Sequence, residues 1–233
     1  MFAAAPATAT GIRAALDRRG DKDAHVVVLA GDGGTFDIGF QSMSGAATRG
    51  ENIIYICNNN GAYMNTGIQT STATPYGAIT TTNPSSNVKN NWPKDLMGII
   101  AAHNIPYAAT ASLAFLDDFR RKINRAMETK GFRLLMVDGP CPPGHKTEPE
   151  MSISVARMAV ETNSFPLFEV EYRDYTINYH PEKILPVEEC MKLQGRYRHL
   201  FKNGSENIIR DIQEFTDDNW RRLNNLDKSK LEN

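Results

Sequence analysis

Cysteine is scarce and scattered in this chain. Only three occur among 233 residues, Cys57, Cys141 and Cys190, and none forms a CxxC pair. An odd, widely spaced set excludes a disulfide framework and points to a reducing compartment, the cytoplasm. Nor do distant thiols of this number complete a zinc or iron–sulfur site within the chain. Long hydrophobic runs are missing: nothing approaches the roughly 20 apolar residues that span a bilayer. An excess of one charge is missing too. Lys+Arg is 26 and Asp+Glu is 27, a net charge of −1, so bulk electrostatics give no pull on nucleic acid. The opening residues carry no basic stretch and no long apolar core, hence no secretory signal pattern. What is present, 41% apolar and 23% charged residues, is the composition of a globular domain with a real core.

Helix and strand signals alternate along the chain. Ala3 to Arg19 reads as helix, stopped by Gly20. His25 to Ala30 is a short β-branched run, read as a buried strand that enters the glycine turn Gly31–Gly34. Asp37 to Arg49 reads as helix and Asn52 to Cys57 as a second buried strand, completing a βαβ unit with parallel strands. Asn58 to Trp92 is long and polar, and a stretch of that kind inside a compact domain is usually functional. Then follow a helix over 93–103, a strand over 106–112, a helix over 116–129 and a strand over 132–138. The loop Gly139–Gly144 comes next, then a helix over 151–161. A hairpin is expected over 167–179 about Arg173-Asp174, with helices over 187–201 and 206–226. The expected fold is α/β: a doubly wound, mostly parallel sheet over residues 1–180 with a C-terminal helical tail over 181–233.

Ligands of open α/β sheets bind outside the carboxyl ends of the strands. Three such ends carry unusual loops here: Gly31–Gly34, Asn58–Gly67 and Gly139–Gly144. Glycines before a helix let backbone approach a phosphate. Asp32 in that turn would repel a phosphate unless a divalent cation lay between them, and Mg²⁺ takes such oxygen ligands. Asn59 and Asn60 at the next strand end offer amide oxygens to the same cation. Alone, Gly31-Asp32-Gly33 is most often a turn and Asn60-Gly61 a hairpin signal. The pair, one at each end of a single βαβ unit, is what points to one ligand.

Gly-Asp-Gly followed at this spacing by Asn-Asn resembles the thiamine diphosphate-binding motif. The wider context, Gly31-Asp-Gly-Gly-Thr-Phe-Asp-Ile-Gly39 with Ala62-Tyr-Met-Asn-Thr-Gly-Ile-Gln69 and Ala73-Thr-Pro75, is similar to the β subunit of 2-oxoacid:ferredoxin oxidoreductases of the pyruvate synthase type. So are Ala102–Ala108, Gly139–Pro142, Ala159–Thr162 with Pro166–Phe168, and Leu193–Arg198. The likeness runs from about residue 3 to about residue 202.

That resemblance implies roles. Asp32, the Asn60 side chain and the Ala62 carbonyl would ligate Mg²⁺. Gly31, Gly33 and Gly34 would lie against the diphosphate, with Asn59 beside them. Asn65 would face the reacting carbon of the cofactor as the catalytic residue, with Thr66 and Gln69 shaping its loop. Cys141 matches the isolated cysteine that ligates a 4Fe–4S cluster. The implied reaction is oxidative decarboxylation of a 2-oxoacid, pyruvate first, to an acyl-coenzyme A and CO₂, with electrons passed through Fe–S clusters to ferredoxin. The glutamate needed at the aminopyrimidine ring has no counterpart here; in the family it comes from an α-, γ- or δ-type partner. Neither a nucleic acid nor a membrane is implied.

Several positions depart from the family pattern. Asn59-Asn60-Gly61 stands where Asp-Asn-Glu is common, which removes two acids. His145 stands where Trp is common. The family's N-terminal CxxC and third cluster cysteine precede the point where this chain begins, so the expectation is a cluster ligated only in part by Cys141. Two other readings belong to different classes: a non-oxidative thiamine decarboxylase or synthase, which Cys141 disfavours, and a non-catalytic assembly module. Cys57 is expected as a small core hydrophobe, and Cys190 as a structural residue of the helical tail. His25, His180 and His199 are expected at the periphery, His103 in packing, and His145 more at the surface than in an electron path.

Overall fold

The computed structural model describes residues 2–202 and 205–228. Helix α1 (Ala5–Arg18) leads into strand β1 (Val27–Gly31), and helix α2 (Phe40–Thr48) connects it to β2 (Ile53–Asn59). Helix α3 (Leu96–Ala101) precedes β3 (Tyr107–Ser112), and α4 (Leu116–Glu128) precedes β4 (Phe132–Asp138). A single turn, α5 (Pro142–His145), and helix α6 (Ser152–Glu161) lead to the hairpin β5 (Phe168–Glu171) and β6 (Asp174–Ile177). Helices α7 (Val187–Lys192) and α8 (Glu206–Leu226) follow.

The strands form one sheet in the order β1-β2-β4-β3-β5-β6. The first four run parallel; β5 and β6 join antiparallel. Alternating side chains divide β2 between the two faces, because successive Cβ atoms point to opposite sides of a strand. Ile53, Tyr55 and Cys57 enter a core with Met43 and Ala46 of α2 and Ile100 of α3, while Ile54 packs with Ala126 of α4. Helices on both faces make the sheet doubly wound and mostly parallel, the fold expected from the alternation of elements. Leu223 of α8 belongs to the larger core, so this helix seals one face of the sheet.

Several expected boundaries move. The helix expected from Asp37 begins earlier, as a π-helical turn over Gly33–Asp37, and continues as α2 only from Phe40. Strand β2 runs on through Asn59, placing Asn58 and Asn59 on the sheet. Helix α3 starts only at Leu96, where the Asp95 side chain accepts the Gly98 N–H as an N-cap. The helix expected over 187–201 is interrupted. Its second half, Gly195–Phe201, is a 3₁₀ segment after an extended Gln194. The hairpin turns on Tyr172-Arg173, one residue earlier than expected, and both residues have positive φ (47° and 75°) as a two-residue turn of this hand requires. Nor is β1 buried on both faces: Val27 and Leu29 are 52% and 73% exposed, because β1 is an edge strand beyond the reach of α4.

Candidate functional site

Parallel strands carry all their carboxyl ends to one edge of the sheet. Gly31 of β1 pairs with Asn58 of β2, and Asn59 of β2 pairs with Asp138 of β4. The residues after each strand therefore gather at one place. Asp32, the N-cap of the π-helical turn, is wholly buried there. Thr35 fixes the turn from below: its hydroxyl donates to the Gly31 carbonyl at 2.7 Å and meets the Tyr55 hydroxyl at 3.0 Å. Gly33 and Gly34 lie within the turn and are buried. A Cβ on Gly33 would run into the Tyr63 ring, so side-chain packing as well as any phosphate holds this position to glycine.

Three polar groups converge beside this turn. The end of the Asn60 amide lies 2.9 Å from Asp32 Oδ1 and 2.9 Å from the Ala62 carbonyl oxygen. Oxygens of an octahedral Mg²⁺ site at about 2.1 Å from the metal are separated by roughly 3.0 Å along each edge. A turned amide would place its NH₂ between the same two oxygens. With its oxygen turned inward instead, Asn60 Oδ1 faces the Ala62 N–H at 3.4 Å, and carboxylate, amide oxygen and carbonyl together would suit a hard cation. Burial pushes the Asp32 carboxyl up to about 6, against hydrogen bonds from Ser71 and from backbone groups that favour the charged form. A cation would reverse the burial penalty.

The long loop after β2 is tied to this turn by residues that sequence reading did not single out. Ser71 donates its hydroxyl to Asp32 Oδ2. Thr74 accepts the Ser71 N–H at 2.9 Å and donates to the Gly61 carbonyl at 2.7 Å. Thr72 binds Asp37 through both its N–H and its hydroxyl, and Lys94 reaches the Phe36 carbonyl. No pattern in a Thr- and Ser-rich loop marks Ser71 apart from its neighbours; only folding brings it to Asp32.

The other expected residues have various placements. Asn59 accepts the Gly61 N–H at 3.2 Å and shapes the turn. Asn65 and Thr66 are exposed, and Thr66 bonds to Gln69 at 2.6 Å within its own loop. Cys141 is half-buried at the start of α5. Among the described residues no group of three or more His, Cys, Asp or Glu is placed to hold a metal ion. Cys57 is buried as expected, and Cys190 is buried too. His103 packs as expected, bonded to Ser44 and to the Ile99 carbonyl.

His145 corrects the expectation of a surface position: it is 3% exposed, with Nε2 3.1 Å from the Asn60 carbonyl. Burial and the Arg196 charge push it down to about 3, so the ring is neutral. Beside it, burial pushes Asp138 up to about 7 against the opposing Arg196 charge. The folded state therefore holds that proton more tightly than the unfolded chain, whose Asp titrates near 3.9. The contribution is complete below about pH 4 and is lost as pH rises through about 7. Asp138→Asn should thus match the parent at pH 4.5 and exceed it at pH 8 by at least about 1 kcal/mol in urea unfolding. Equal stability differences at both pH values would count against a raised Asp138.

Comparisons with known proteins show the family and the fold. Residues 1–137 match the model of the thiamine pyrophosphate enzyme, C-terminal TPP binding domain. Pyruvate synthase subunit PorB of Methanocaldococcus jannaschii is 46% identical over 223 residues, covering 91% of this chain and 75% of that protein. The chain belongs to this 2-oxoacid oxidoreductase subunit family. Another relative in the family, ketoisovalerate oxidoreductase subunit VorB of Pyrococcus furiosus, is 43% identical over 235 aligned positions, covering 97% of this chain and 74% of that protein. A solved 2-oxoglutarate:ferredoxin oxidoreductase from Magnetococcus marinus, with 2-oxoglutarate, coenzyme A and succinyl-CoA bound, has a TM-score of 0.55 at 25% identity, covering 67% of this chain and 58% of that one. No helix among the described residues is long and apolar enough to cross a membrane.

Proposed function

We propose that this chain is the thiamine diphosphate- and Mg²⁺-binding subunit of a cytoplasmic 2-oxoacid:ferredoxin oxidoreductase, with pyruvate as first substrate. The observation that supports the reading is the convergence of the Asp32 carboxylate, the Asn60 amide and the Ala62 carbonyl, with the end of the amide 2.9 Å from the other two. Asp32, Asn60 and the Ala62 carbonyl hold the cation. Gly31, Gly33 and Gly34 let backbone N–H groups approach the diphosphate, and Asn59 sets the turn that presents Asn60. Bound thiamine diphosphate supplies the electron sink for decarboxylation. Asn65 and Thr66, exposed on their loop, face the reacting end and hydrogen-bond to the 2-oxoacid. Cys141 supplies one ligand to a 4Fe–4S cluster whose other ligands come from outside the described residues. Partner subunits supply the glutamate at the aminopyrimidine, and ferredoxin and coenzyme A complete the reaction.

The test is reconstitution with the partner subunits. The assembled complex should bind thiamine diphosphate in a Mg²⁺-dependent manner, carry iron and reduce ferredoxin with pyruvate and coenzyme A. The chain alone should turn nothing over. Oxidation of a 2-oxoacid by the isolated polypeptide, or failure of the complex to bind the cofactor, would overturn the reading.

A further inference from the structure

The peptide that joins Asn60 to Gly61 is held at both ends. Its N–H donates to the Asn59 side-chain oxygen at 3.2 Å. Its carbonyl lies 3.1 Å from His145 Nε2. A carbonyl only accepts, so Nε2 carries the proton of the neutral ring. One peptide further on, the Gly61 carbonyl accepts the Thr74 hydroxyl at 2.7 Å. Asn60 and Ala62, whose polar groups meet beside Asp32, thus flank a turn tied by three side chains.

Such ties matter because Gly61 follows. It has a φ of 74°, in the left-handed region that glycine enters freely. A peptide ahead of a glycine can rotate as a unit, since only the preceding ψ and the glycine φ change; type I and type II turns differ by that rotation. Rotation here would redirect the chain between Asn60 and Ala62. It would undo the 2.9 Å approach of the Asn60 amide to both Asp32 and the Ala62 carbonyl.

His145 is itself firmly placed. It closes the single turn α5, where its N–H donates to the Cys141 carbonyl at 2.8 Å. Gly144 before it lies so close to Met64 that a Cβ would overlap the thioether, and the Lys146 carbonyl after it accepts the Gly195 N–H at 3.2 Å. The ring borders, with Asp138 and Arg196, a cavity of about 320 Å³ behind the turn. Asn59, Asn60 and Gly61 line the same cavity. Packing behind the turn is therefore incomplete, and its hydrogen bonds carry more of the placement.

We propose that His145 is a positioning residue for the cation site: its ring N–H locks the Asn60–Gly61 peptide in the orientation that brings the Asn60 amide and the Ala62 carbonyl together beside Asp32. The inference rests on the reading of Asp32, Asn60 and Ala62 as cation ligands. His145 acts only through Asn60 and touches neither cation nor substrate. Removing a group that orients a metal ligand typically costs roughly 10- to 100-fold in affinity.

The experiment compares His145→Leu and His145→Gln in the assembled complex. Leucine removes the donor and keeps much of the bulk. Glutamine restores an N–H as many bonds from the backbone as Nε2 is. Mn²⁺ binding, read from its paramagnetic signal with thiamine diphosphate present and no substrate, should be about 10-fold weaker in His145→Leu and within about threefold of the parent in His145→Gln. At saturating Mg²⁺ and cofactor, His145→Leu should recover kcat to within about twofold, the loss remaining in the KM for Mg²⁺. Should His145→Leu fail to fold, His145→Asn takes its place: its amide is one bond too short to reach Asn60, and Mn²⁺ affinity should fall likewise. Parent-like Mn²⁺ affinity in the variant without the donor overturns the proposal. Equal losses in the leucine and glutamine variants overturn it too, since they would assign the ring a packing role. Failure of the parent complex to bind Mn²⁺ would instead overturn the function proposed above, and this inference with it.

Discussion

Asp32→Asn should abolish Mg²⁺-dependent thiamine diphosphate binding while leaving the fold intact. The substitution keeps the shape of the side chain and removes only the charge. Asp32 is the one carboxylate among the three convergent groups, and a hard divalent cation draws most of its binding energy from formal negative charge. A loss of at least about 100-fold in affinity, roughly 2.7 kcal/mol, is expected by calorimetry in the assembled complex. Mn²⁺ offers a second readout, since its paramagnetic signal reports bound and free ion without any turnover. Stability should not fall. Without metal, burial already disfavours the charged carboxylate, so the neutral amide should melt at the parent temperature or above it. Unchanged cofactor affinity would remove Asp32 from the cation site. A collapse in melting temperature would instead assign it a structural role through its bond to Ser71.

The second large effect concerns Gly39, at the exit of the π-helical turn. A Cβ there would lie well inside contact distance of the Gly34 carbonyl oxygen, and 3.3 Å from the Ala3 carbonyl. The first neighbour is backbone and cannot step aside as a flexible side chain does. Gly39→Ala should therefore destabilise the chain by roughly 1–3 kcal/mol, the usual cost of overpacking. It should also weaken cofactor binding about 10-fold or more, because relief must come from shifting Gly33 and Gly34. Gly45→Ala is the control. It lies inside α2, and its added Cβ would meet only the end of the Arg49 side chain at 3.1 Å. There the change should stabilise by about 0.5–1 kcal/mol, as alanine for glycine does in a helix interior. Equal urea midpoints for the two variants would refute the special geometry of Gly39.

Local sequence carried the repeating elements well. The β-branched run at Ile53-Ile54 and the run Phe132–Val137 are strands in the structure because both faces of a central strand are buried, which leaves an unmistakable apolar signal. Edges were harder. Val27 and Leu29 look like core residues in the sequence, yet they are exposed on β1, since exposure depends on which helix covers which strand. The π-helical turn was also hidden. Its glycines read as a loop, and the wider winding is set by Thr35 beneath it and Gly39 after it rather than by propensity.

The site divides along the same line. Gly31-Asp32-Gly33 and Asn59-Asn60 are visible because each sits at the carboxyl end of a strand, and a parallel βαβ unit must bring such positions to one edge. Their partners are not. Ser71 lies 39 residues from Asp32, and His145, Asp138 and Arg196 come from three separate segments that meet only around the cavity. Sequence by itself determined the parallel βαβ unit and its direction, which follow from periodicity and short spacing, and carried the resemblance to the cofactor motif. Tertiary structure alone decided which polar groups lose water and which find partners. Burial raises Asp138, neutralises His145 and leaves Arg196 facing a cavity, and desolvation is a property of the packed whole rather than of any stretch of chain.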